Sequence, residues 1–223
     1  MQKKIIKSNN IANSNLDGWL NNHAIVIENK KVTEVINQDS VPQGGSFEVI
    51  DFGDTYAIPG IIETHAHLQF SATPDAYEIY FKENENQRYK RAVKNAEIAL
   101  MSGVTSLRDL GSPNNLIFPI QNDINNGIIK GPNIYPTGTP ITIKDGHCWF
   151  FGATVNDIND IFRVIDNQLS LGATHIKMMA SGGNFTPSSN PRISQFSLKT
   201  IQETVTVSYT HLRAHETLRY LVC

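Results

Sequence analysis

The sequence predicts an α/β protein built from βα units around a parallel sheet. From Tyr56 onward, short strand-like apolar runs alternate with segments of helical periodicity. Glycines follow the helix-like segments, where the C-terminal cap of a helix is expected. Four such units follow one another, and four units make half of an eight-stranded (β/α)8 barrel.

The first 55 residues predict short strands and turns instead of βα units. Residues 23–36 predict a β-hairpin, in which apolar runs at 24–27 and 32–36 flank a polar turn. A loop at 42–46 precedes another short strand at 49–52. A segment of this size buries little apolar surface by itself, so we expect it to pack against something larger.

The first two βα units follow this segment. An apolar run that we interpret as a buried strand ends in His65-Ala66-His67, and a helix is expected from Asn86 to Ser102. Apolar side chains recur on one face of this helix: Tyr89, Ala92, Val93, Ala96 and Leu100. Gly103 is expected to end it. The second unit has a strand at 104–109 and a short helix near 115–125.

The third strand is expected at 133–137, and the helix after it is expected to begin with Asn156 as its N-cap and to end at Gly172. The buried face of that helix comprises Ile158, Ile161, Phe162, Ile165 and Leu169. The fourth strand is expected at 173–179. A last helix starts at Ser197, and its apolar face comprises Leu198, Ile201 and Val205.

Composition and charge exclude several classes of protein. The chain has 223 residues, a formal net charge of -2 and a pI near 6.4, which does not indicate nucleic acid or an anionic membrane as partner. The longest apolar runs fall short of the roughly 20 residues that span a bilayer. Polar residues 8–10 follow the basic N-terminal residues, where a signal peptide would continue apolar. Cys148 and Cys223 are too few for a disulfide framework or a cysteine-based zinc site. We therefore expect a cytoplasmic protein.

His65 and His67 are the strongest functional signal. Residues i and i+2 of a strand point to the same side, so both imidazoles can face one metal ion. Histidine is the commonest metal ligand, and zinc binds it readily. A coincidental pair of histidines at a polar strand end is the alternative. Asp109 and Lys177 also fall at carboxyl ends of predicted strands, where the active sites of (β/α)8 barrels lie.

Other features give weaker signals. His147, in the loop after the third strand, is a candidate substrate contact or an ordinary loop histidine. His175 lies within the fourth strand, and we interpret it as a histidine of the barrel interior rather than a ligand. Arg108 and Asp109 are expected to form a structural ion pair. Residues 181–184 shape the pocket or form a simple turn, and they lack the ending of a phosphate-binding loop.

The segment 59–67 resembles the first-strand signature of the amidohydrolase superfamily. Segments 103–111 and 172–183 and the Gly146-His147 loop resemble its imidazolonepropionase-like and Xaa-Pro-dipeptidase-like members. The resemblance extends from about residue 24 to about residue 204. It implies a TIM-like (β/α)8 barrel that is preceded by a small β-sandwich segment.

The domain organisation that the resemblance implies has three parts. Residues 1–55 form the small β-sandwich segment, and residues 56–206 form the N-terminal half of the barrel. Residues 207–223 do not resemble the family. They are similar to peptides found at the ends of truncated translations that read through sequencing-adapter DNA, and we expect the join between Thr204 and Ser208.

The resemblance also implies a metal site that holds one or two divalent ions, usually zinc. His65 and His67 match the first two ligands, and Lys177 matches a lysine that is carboxylated on its amine to bridge two metals. Burial beside cations lowers an amine pKa from about 10.4, and the neutral amine can take up carbon dioxide to become an oxygen ligand. A surface lysine at a strand end is the alternative for Lys177. His147 is the candidate substrate-binding residue.

The activity implied is hydrolysis of a carbon–nitrogen bond in a small molecule, either a cyclic amide or an Xaa-Pro-type dipeptide. A bound metal lowers the pKa of a water molecule to about 7, which makes hydroxide available at neutral pH. In this family an aspartate of a late strand takes and returns the proton. We therefore assign no catalytic residue in this chain and expect the general base in a second half that the sequence lacks.

His211 and His215 have the spacing i, i+4, but they lie in the unrelated tail and are not used to complete the metal site. A half barrel leaves an open sheet edge and an uncovered interior. We therefore expect the chain as written to be inactive and to aggregate or dimerise. A genuine short protein that binds a partner or dimerises without catalysis is the alternative.

Overall fold

The computed structural model describes residues 3–214, with the side chains of 211–214 left out. The prediction made for His211 and His215 therefore lies outside the described side chains. The chain divides between Gly60 and Ile61 into two compact units. Among the described helices, none has the length and apolar character that crossing a bilayer requires.

The first unit is a five-stranded sheet in the order β3-β2-β1-β4, with β5 pairing β1. Its strands are β1 (Lys3–Ala12), β2 (Trp19–Glu28), β3 (Lys31–Asn37), β4 (Phe47–Asp51) and β5 (Tyr56–Ala57). The predicted hairpin is confirmed as β2 and β3, and the predicted strand at 49–52 is confirmed as β4 with a small shift. Asn29 and Lys30 both have positive φ, as the two-residue turn of a tight hairpin requires.

The central strand β1 was not recognised from the sequence. Its buried residues are Ile5, Ser8 and Ile11, which recur every third position and not every second. A strand with one solvated face normally shows strict alternation, so this pattern gave no strand signal. Ile5 and Ala24 are nevertheless fully buried in the small core of this unit, together with Val41.

The second unit has α/β architecture, as the sequence predicts. A parallel sheet has the order β6-β7-β8, and a second parallel pair is formed by β9 and β10. Its strands are β6 (Ile61–Ala66), β7 (Val104–Asp109), β8 (Asn133–Pro136), β9 (Ile141–Ile143) and β10 (Ala153–Val155). Its helices are α1 (Ala76–Lys82), α2 (Glu85–Met101), α3 (Ile117–Asn125), α4 (Ile158–Ser170) and α5 (Leu198–Ala214). Helix α1 and the short strands β9 and β10 had not been predicted.

Helix α2 confirms the predicted helix and its apolar face. Asn84 caps it by accepting a hydrogen bond from the Gln87 amide, while the Gln87 side chain accepts from the Asn84 amide. This reciprocal pair satisfies two amides that a helix start otherwise leaves unbonded. Ala92 and Ala96 are buried against Leu107 in the main core of the unit. Their small side chains let the helix lie close to the sheet.

Helix α4 was predicted in the right place but with the wrong N-cap. The cap is Asp157, whose side chain accepts hydrogen bonds from the amides of Asn159 and Asp160. Asn156 instead donates from its amide and its side chain to the Asp160 carboxylate. The residue immediately before the first helical residue is the one whose carboxylate reaches the free amides of the first turn.

The first predicted barrel strand is not buried. In β6, Ile61 and Ile62 are 49% and 66% exposed. β6 is an edge strand of its sheet, and helices α2 and α3 pack mainly on β7 and β8. The apolar run before His65 correctly predicted a strand, but the prediction that this strand is buried is wrong.

The fourth predicted strand, 173–179, is not a regular strand, because it contains bends at Thr174 and His175 and forms only one isolated bridge, between Met178 and Ile141. Its backbone bonds are divided between two neighbours. Thr174 donates to Pro136 at the end of β8, whereas Met179 donates to Ile141 of β9. Neither pairing is long enough to form a ladder, so a regular strand does not develop.

The apolar face predicted for α5 is also wrong in part. Leu198 and Val205 are 71% and 46% exposed, whereas Thr204 is buried and Val207 packs with α4. The predicted start is confirmed, because Ser197 accepts a hydrogen bond from the Thr200 amide at 3.1 Å. Contact with α4 selects the buried face, and the apolar side chains of α5 alone do not indicate it.

Candidate active site

One pocket of the second unit brings together all four predicted site residues. His65, His67, His147 and Lys177 line a cavity of about 600 Å³. His65 lies near the carboxyl end of β6 and His67 directly after it, whereas His147 lies in the loop after β9 and Lys177 in the segment 173–179. Residues from three distant stretches of sequence therefore share one site, although only the His65–His67 pair is local.

His65 and His67 lie side by side at the carboxyl end of β6. Their ring centroids are 5.6 Å apart. The Nδ1 atom of His67 lies 3.1 Å from the carbonyl oxygen of Gly111. A carbonyl oxygen only accepts, so Nδ1 carries the hydrogen and Nε2 of His67 keeps a free lone pair. His65 is more exposed, and its backbone amide donates to the Glu63 carboxylate at 2.8 Å.

Asp109 organises the turns that carry these groups. Its carboxylate, which is fully buried, accepts hydrogen bonds from the amides of Leu68 and Gly111 at 2.9 and 3.2 Å. Burial raises the pKa of Asp109 to about 7, and the two amide bonds oppose that shift. The carbonyl of the same Gly111 accepts from His67, so Asp109 acts on the histidine through one intervening residue.

The expected ion pair between Arg108 and Asp109 is wrong. Arg108 is exposed, whereas Asp109 is buried and accepts hydrogen bonds from the backbone amides of Leu68 and Gly111. No ion pair in the described part of the chain joins the two side chains. Consecutive residues of a strand point to opposite faces, which separates the two charges.

The pocket disfavours positive charge on its ionisable groups. Burial lowers the pKa of Lys177, and the neighbouring Arg108 lowers it further. Burial also lowers the pKa of His67 to about 4, and both His65 and Lys177 contribute to that shift. The pKa of His147 is lowered by burial and by Lys177. At neutral pH the imidazoles are therefore uncharged and able to bind a metal.

His147 is held on both sides of its peptide unit. Thr142, which is fully buried, donates to the His147 carbonyl at 2.7 Å. The Gln195 side chain accepts from the His147 amide and donates to the Met179 carbonyl at 2.6 Å. Gln195 thus connects the loop of His147 to the segment that carries Lys177. A single glutamine with no pattern around it gives no sequence signal, so sequence reasoning missed this role.

The segment 181–184 contributes to the pocket wall through Ser181 and Gly182. Gly183 lies against the imidazole of His147, because a Cβ atom built there would be 2.4 Å from the ring Nε2. Only glycine permits this approach. The glycine pair that the sequence left open between a pocket wall and a turn therefore has a steric function beside His147.

His175 does not line this pocket. Its Nδ1 lies 2.9 Å from the Thr174 hydroxyl, and its Nε2 is buried without a hydrogen-bond partner. Burial lowers its pKa to about 4, and Arg108 and Lys177 add to the shift. The histidine is therefore neutral and only one of its two ring nitrogens has a hydrogen-bond partner.

The pocket side chains can hold a metal ion if Lys177 is not in its ammonium form. Among the side chains of residues 3–210, no three of His, Cys, Asp or Glu are grouped as a metal site. Two imidazoles that bind one zinc ion at ~2.1 Å have centroids roughly 5 Å apart, close to the 5.6 Å between His65 and His67. The ammonium form of Lys177 has no lone pair for a metal, so Lys177 can complete a three-ligand set only after it loses its proton or is carboxylated.

The candidate residues lie at the carboxyl end of β6, in the loop after β9 and in the segment 173–179, and the active sites of parallel α/β enzymes lie at the carboxyl edge of the sheet. Known proteins resemble this chain in sequence and in fold. No family model matches the chain. The ochratoxinase of Aspergillus niger is 26% identical over a 217-residue alignment that covers 82% of this chain.

Solved structures agree in fold. A prolidase complexed with N-methylphosphonate-L-proline has a TM-score of 0.82 at 22% identity and covers 94% of this chain. The crystal structure of A. niger ochratoxinase has a TM-score of 0.75 at 24% identity and the same coverage. The structure of a protein described as an amidohydrolase also has this fold, with a TM-score of 0.81 at 21% identity. The likeness in fold agrees with the resemblance to the amidohydrolase superfamily that the sequence motifs indicate.

The chain is shorter than its relatives. It spans 44% of the length of the curated ochratoxinase and 54% of the prolidase and ochratoxinase chains in the solved structures.

Proposed function

We propose that this chain carries part of the active site of a metal-dependent hydrolase that cleaves a carbon–nitrogen bond. The observation that carries the proposal is the convergence of His65, His67, His147 and Lys177 on one pocket. The curated relative and several structural neighbours are named as hydrolases, among them a Xaa-Pro dipeptidase. The second unit is, in this proposal, the N-terminal half of a (β/α)8 barrel, and the first unit is the small β-sandwich.

The metal ligands in this proposal are His65, His67 and carboxylated Lys177, and the metal is zinc. The lowered pKa of Lys177 favours the neutral amine that reacts with carbon dioxide. A divalent ion held there supplies Lewis-acid activation of water and of the scissile carbonyl. His67 presents Nε2 because Gly111 occupies its Nδ1–H, and His147 is placed to hydrogen-bond the substrate.

The substrate class is a small amide or a dipeptide of the Xaa-Pro type. The pocket combines polar imidazoles with apolar side chains such as Phe70 and Met179, as small-molecule sites commonly do. None of the described side chains that line it is a carboxylate. The aspartate that the family resemblance implies as general base is therefore not among these side chains, and we propose that the 223-residue chain alone is inactive.

Zinc titration tests the metal site. Chelator-treated protein should bind zinc in a calorimetric titration, and Lys177→Met should weaken the binding at least about tenfold. Lys144→Met is the matched control, because Lys144 is an exposed lysine outside the pocket. Addition of ¹³C-bicarbonate should give a carbamate resonance in the wild type that Lys177→Met lacks. Zinc affinity equal in all three proteins would contradict the assignment of Lys177.

Hydrolysis is tested separately with N-acylated amino acids and with Xaa-Pro dipeptides. We expect no zinc-dependent turnover by the chain alone. Turnover that a chelator abolishes would overturn the proposed inactivity but would support the metal site. Turnover that a chelator leaves unchanged would contradict the metal-dependent mechanism.

Self-association without catalysis is the second candidate function. The observation that favours it is the exposed edge strand β6, with Ile61 and Ile62 on its surface. An exposed apolar edge strand pairs readily with another chain. Sedimentation should show dimers or larger species, and Ile62→Lys should shift them toward monomer. A monodisperse monomer in the wild type would exclude this function.

A further inference from the structure

Three phenylalanines form one side of the pocket, and we call them the aromatic wall: Phe70, Phe151 and Phe185. The ring of Phe70 is central. Its centroid lies 5.1 Å from the centroids of both Phe151 and Phe185, at interplanar angles of 70° and 76°. Such edge-to-face contacts are the preferred geometry of aromatic pairs. The wall is therefore a packed surface and not three independent side chains.

A second layer of rings fixes the aromatic wall from behind. The buried Tyr80 lies 5.4 Å from Phe70 and 4.9 Å from Phe150, and its hydroxyl donates to the Phe150 carbonyl at 3.2 Å. The guanidinium of Arg88 lies 4.6 Å from the Tyr80 ring centroid. A surface supported in this way needs little reordering when a ligand binds, which favours affinity.

The aromatic wall lies directly beside the proposed metal ligands. The His67 ring centroid is 5.8 Å from Phe151 and 6.0 Å from Phe70. A substrate whose carbonyl is held at the histidines would therefore place its neighbouring substituent against these rings. The cavity of about 600 Å³ leaves room for such a substituent.

Aromatic surfaces bind two kinds of ligand group, cations and neutral aryl groups. The charges of the side chains around the aromatic wall indicate which of the two this pocket favours. The described side chains that line the pocket include Lys177 and three histidines but no carboxylate. The unmodified pocket wall therefore offers no counter-charge to a cationic group, whereas a neutral aryl group needs none. The thioethers of Met178 and Met179 also line the cavity, and sulfur makes favourable contacts with aromatic rings.

We propose that the aromatic wall binds an aryl group of the substrate, so that the substrate class is an amide with an aromatic substituent next to the scissile carbonyl–nitrogen bond. The position of that bond rests on the proposed function. Binding of the aryl group itself does not, because it needs neither metal nor catalysis.

Binding of uncleaved probes to metal-free protein tests the proposal. N-acetyl-L-phenylalaninamide should bind at least about tenfold more tightly than N-acetyl-L-alaninamide in ligand-observed NMR titrations. Phe185→Ala should reduce the affinity for the phenyl probe by about tenfold and leave that for the alanyl probe unchanged. Phe185→Leu keeps most of the side-chain volume and should lose a smaller part of the affinity for the phenyl probe. This second variant distinguishes the loss of the ring contact from misfolding.

Phe81→Ala is the matched control. Phe81 belongs to the same aromatic neighbourhood, 5.3 Å from Phe150, but it is 52% exposed and does not line the pocket. The proposal is overturned if both probes bind equally, if Phe81→Ala weakens the phenyl probe as much as Phe185→Ala, or if a benzyltrimethylammonium probe binds best. If the protein binds the phenyl probe but not zinc, the proposed metal-dependent hydrolase is refuted and aryl binding by the aromatic wall is supported. If the protein binds zinc but not the phenyl probe, the metal site is supported and aryl binding is refuted.

Discussion

His67 donates a hydrogen bond from Nδ1 to the carbonyl oxygen of Gly111 at 3.1 Å, and this contact leaves Nε2 free toward the pocket. The same carbonyl accepts from the Gln69 side chain at 2.6 Å. The Gly111 amide in turn donates to Asp109. A buried carboxylate at the end of β7 therefore controls the orientation of an imidazole at the end of β6.

Replacement of His67 tests its assignment as a metal ligand. We expect His67→Asn to lower zinc affinity at least about a hundredfold, because a three-ligand site loses a nitrogen donor. The measurement is calorimetric titration of chelator-treated protein with zinc. His23→Asn is the control, since His23 lies in the first unit, outside the pocket. Equal losses of zinc affinity in His67→Asn and His23→Asn would contradict the assignment of His67 as a metal ligand.

Replacement of Asp109 should affect stability and metal affinity together. Asp109→Ala leaves the buried amides of Leu68 and Gly111 without acceptors, which costs about 2–4 kcal/mol of unfolding free energy. The turn that orients His67 also loses its support, and we expect zinc affinity to fall about 10–100-fold. Urea denaturation and zinc titration measure the two effects. The exposed Asp54 provides the control Asp54→Ala, which should change neither. Full stability in Asp109→Ala would contradict the positioning role.

The stability of metal-free protein should rise with pH between about 4 and 6.5. In this window the unfolded chain carries protons on His67 and His175, whose folded pKa values are about 4. The folded state carries one proton on Asp109, whose folded pKa is about 7. The unfolded state thus binds about one proton more than the folded state, because its two histidine protons are set against one Asp109 proton. The slope is of order 1 kcal/mol per pH unit, reduced by solvent screening at the partly exposed His175.

Above pH 6.5 two opposing contributions fade together. The unfolded chain loses its histidine protons around pH 6.5, and the folded chain loses the Asp109 proton as the pH rises through about 7. Stability should therefore level off near pH 7. Urea midpoints at half-unit pH intervals in the presence of a chelator measure the profile. A flat or falling profile from pH 4.5 to 6.5 would show that the histidines are not desolvated in solution.

The N-cap of α4 can be tested by a pair of neighbouring substitutions. Asp157→Ala should cost about 1 kcal/mol of unfolding free energy, because two amides of the first helical turn lose their acceptor. Asn156→Ala removes only an exposed hydrogen bond to Asp160 and should cost less than about half as much. Thermal denaturation compares the two. A larger loss in Asn156→Ala would restore Asn156 as the cap.

Local sequence patterns predicted the elements well where the signal was complete within one segment. Helix α2 shows a full apolar face and a terminal glycine, and β7 has the predicted bounds. The fourth strand failed as a regular strand because its backbone partners lie in two other segments, β8 and β9, whose positions no local pattern contains. The wrong face of α5 has the same origin, since contact with α4 selects it.

The sequence by itself determined the order of the βα units, the spacing of His65 and His67, and the motifs that carry the family resemblance. These features depend on residues that are close along the chain. The tertiary structure alone decided that Asp109 bonds the turn beside His67 and not Arg108, that Gln195 connects the loop of His147 to the Lys177 segment, and that three phenylalanines line the same pocket. Asp109 and Leu68 are 41 positions apart along the chain, and His147 and Gln195 are 48 apart. The separation of Arg108 from Asp109 depends on which face of the strand each side chain occupies. Chain folding creates such proximity, and neither composition nor periodicity encodes it in a readable form.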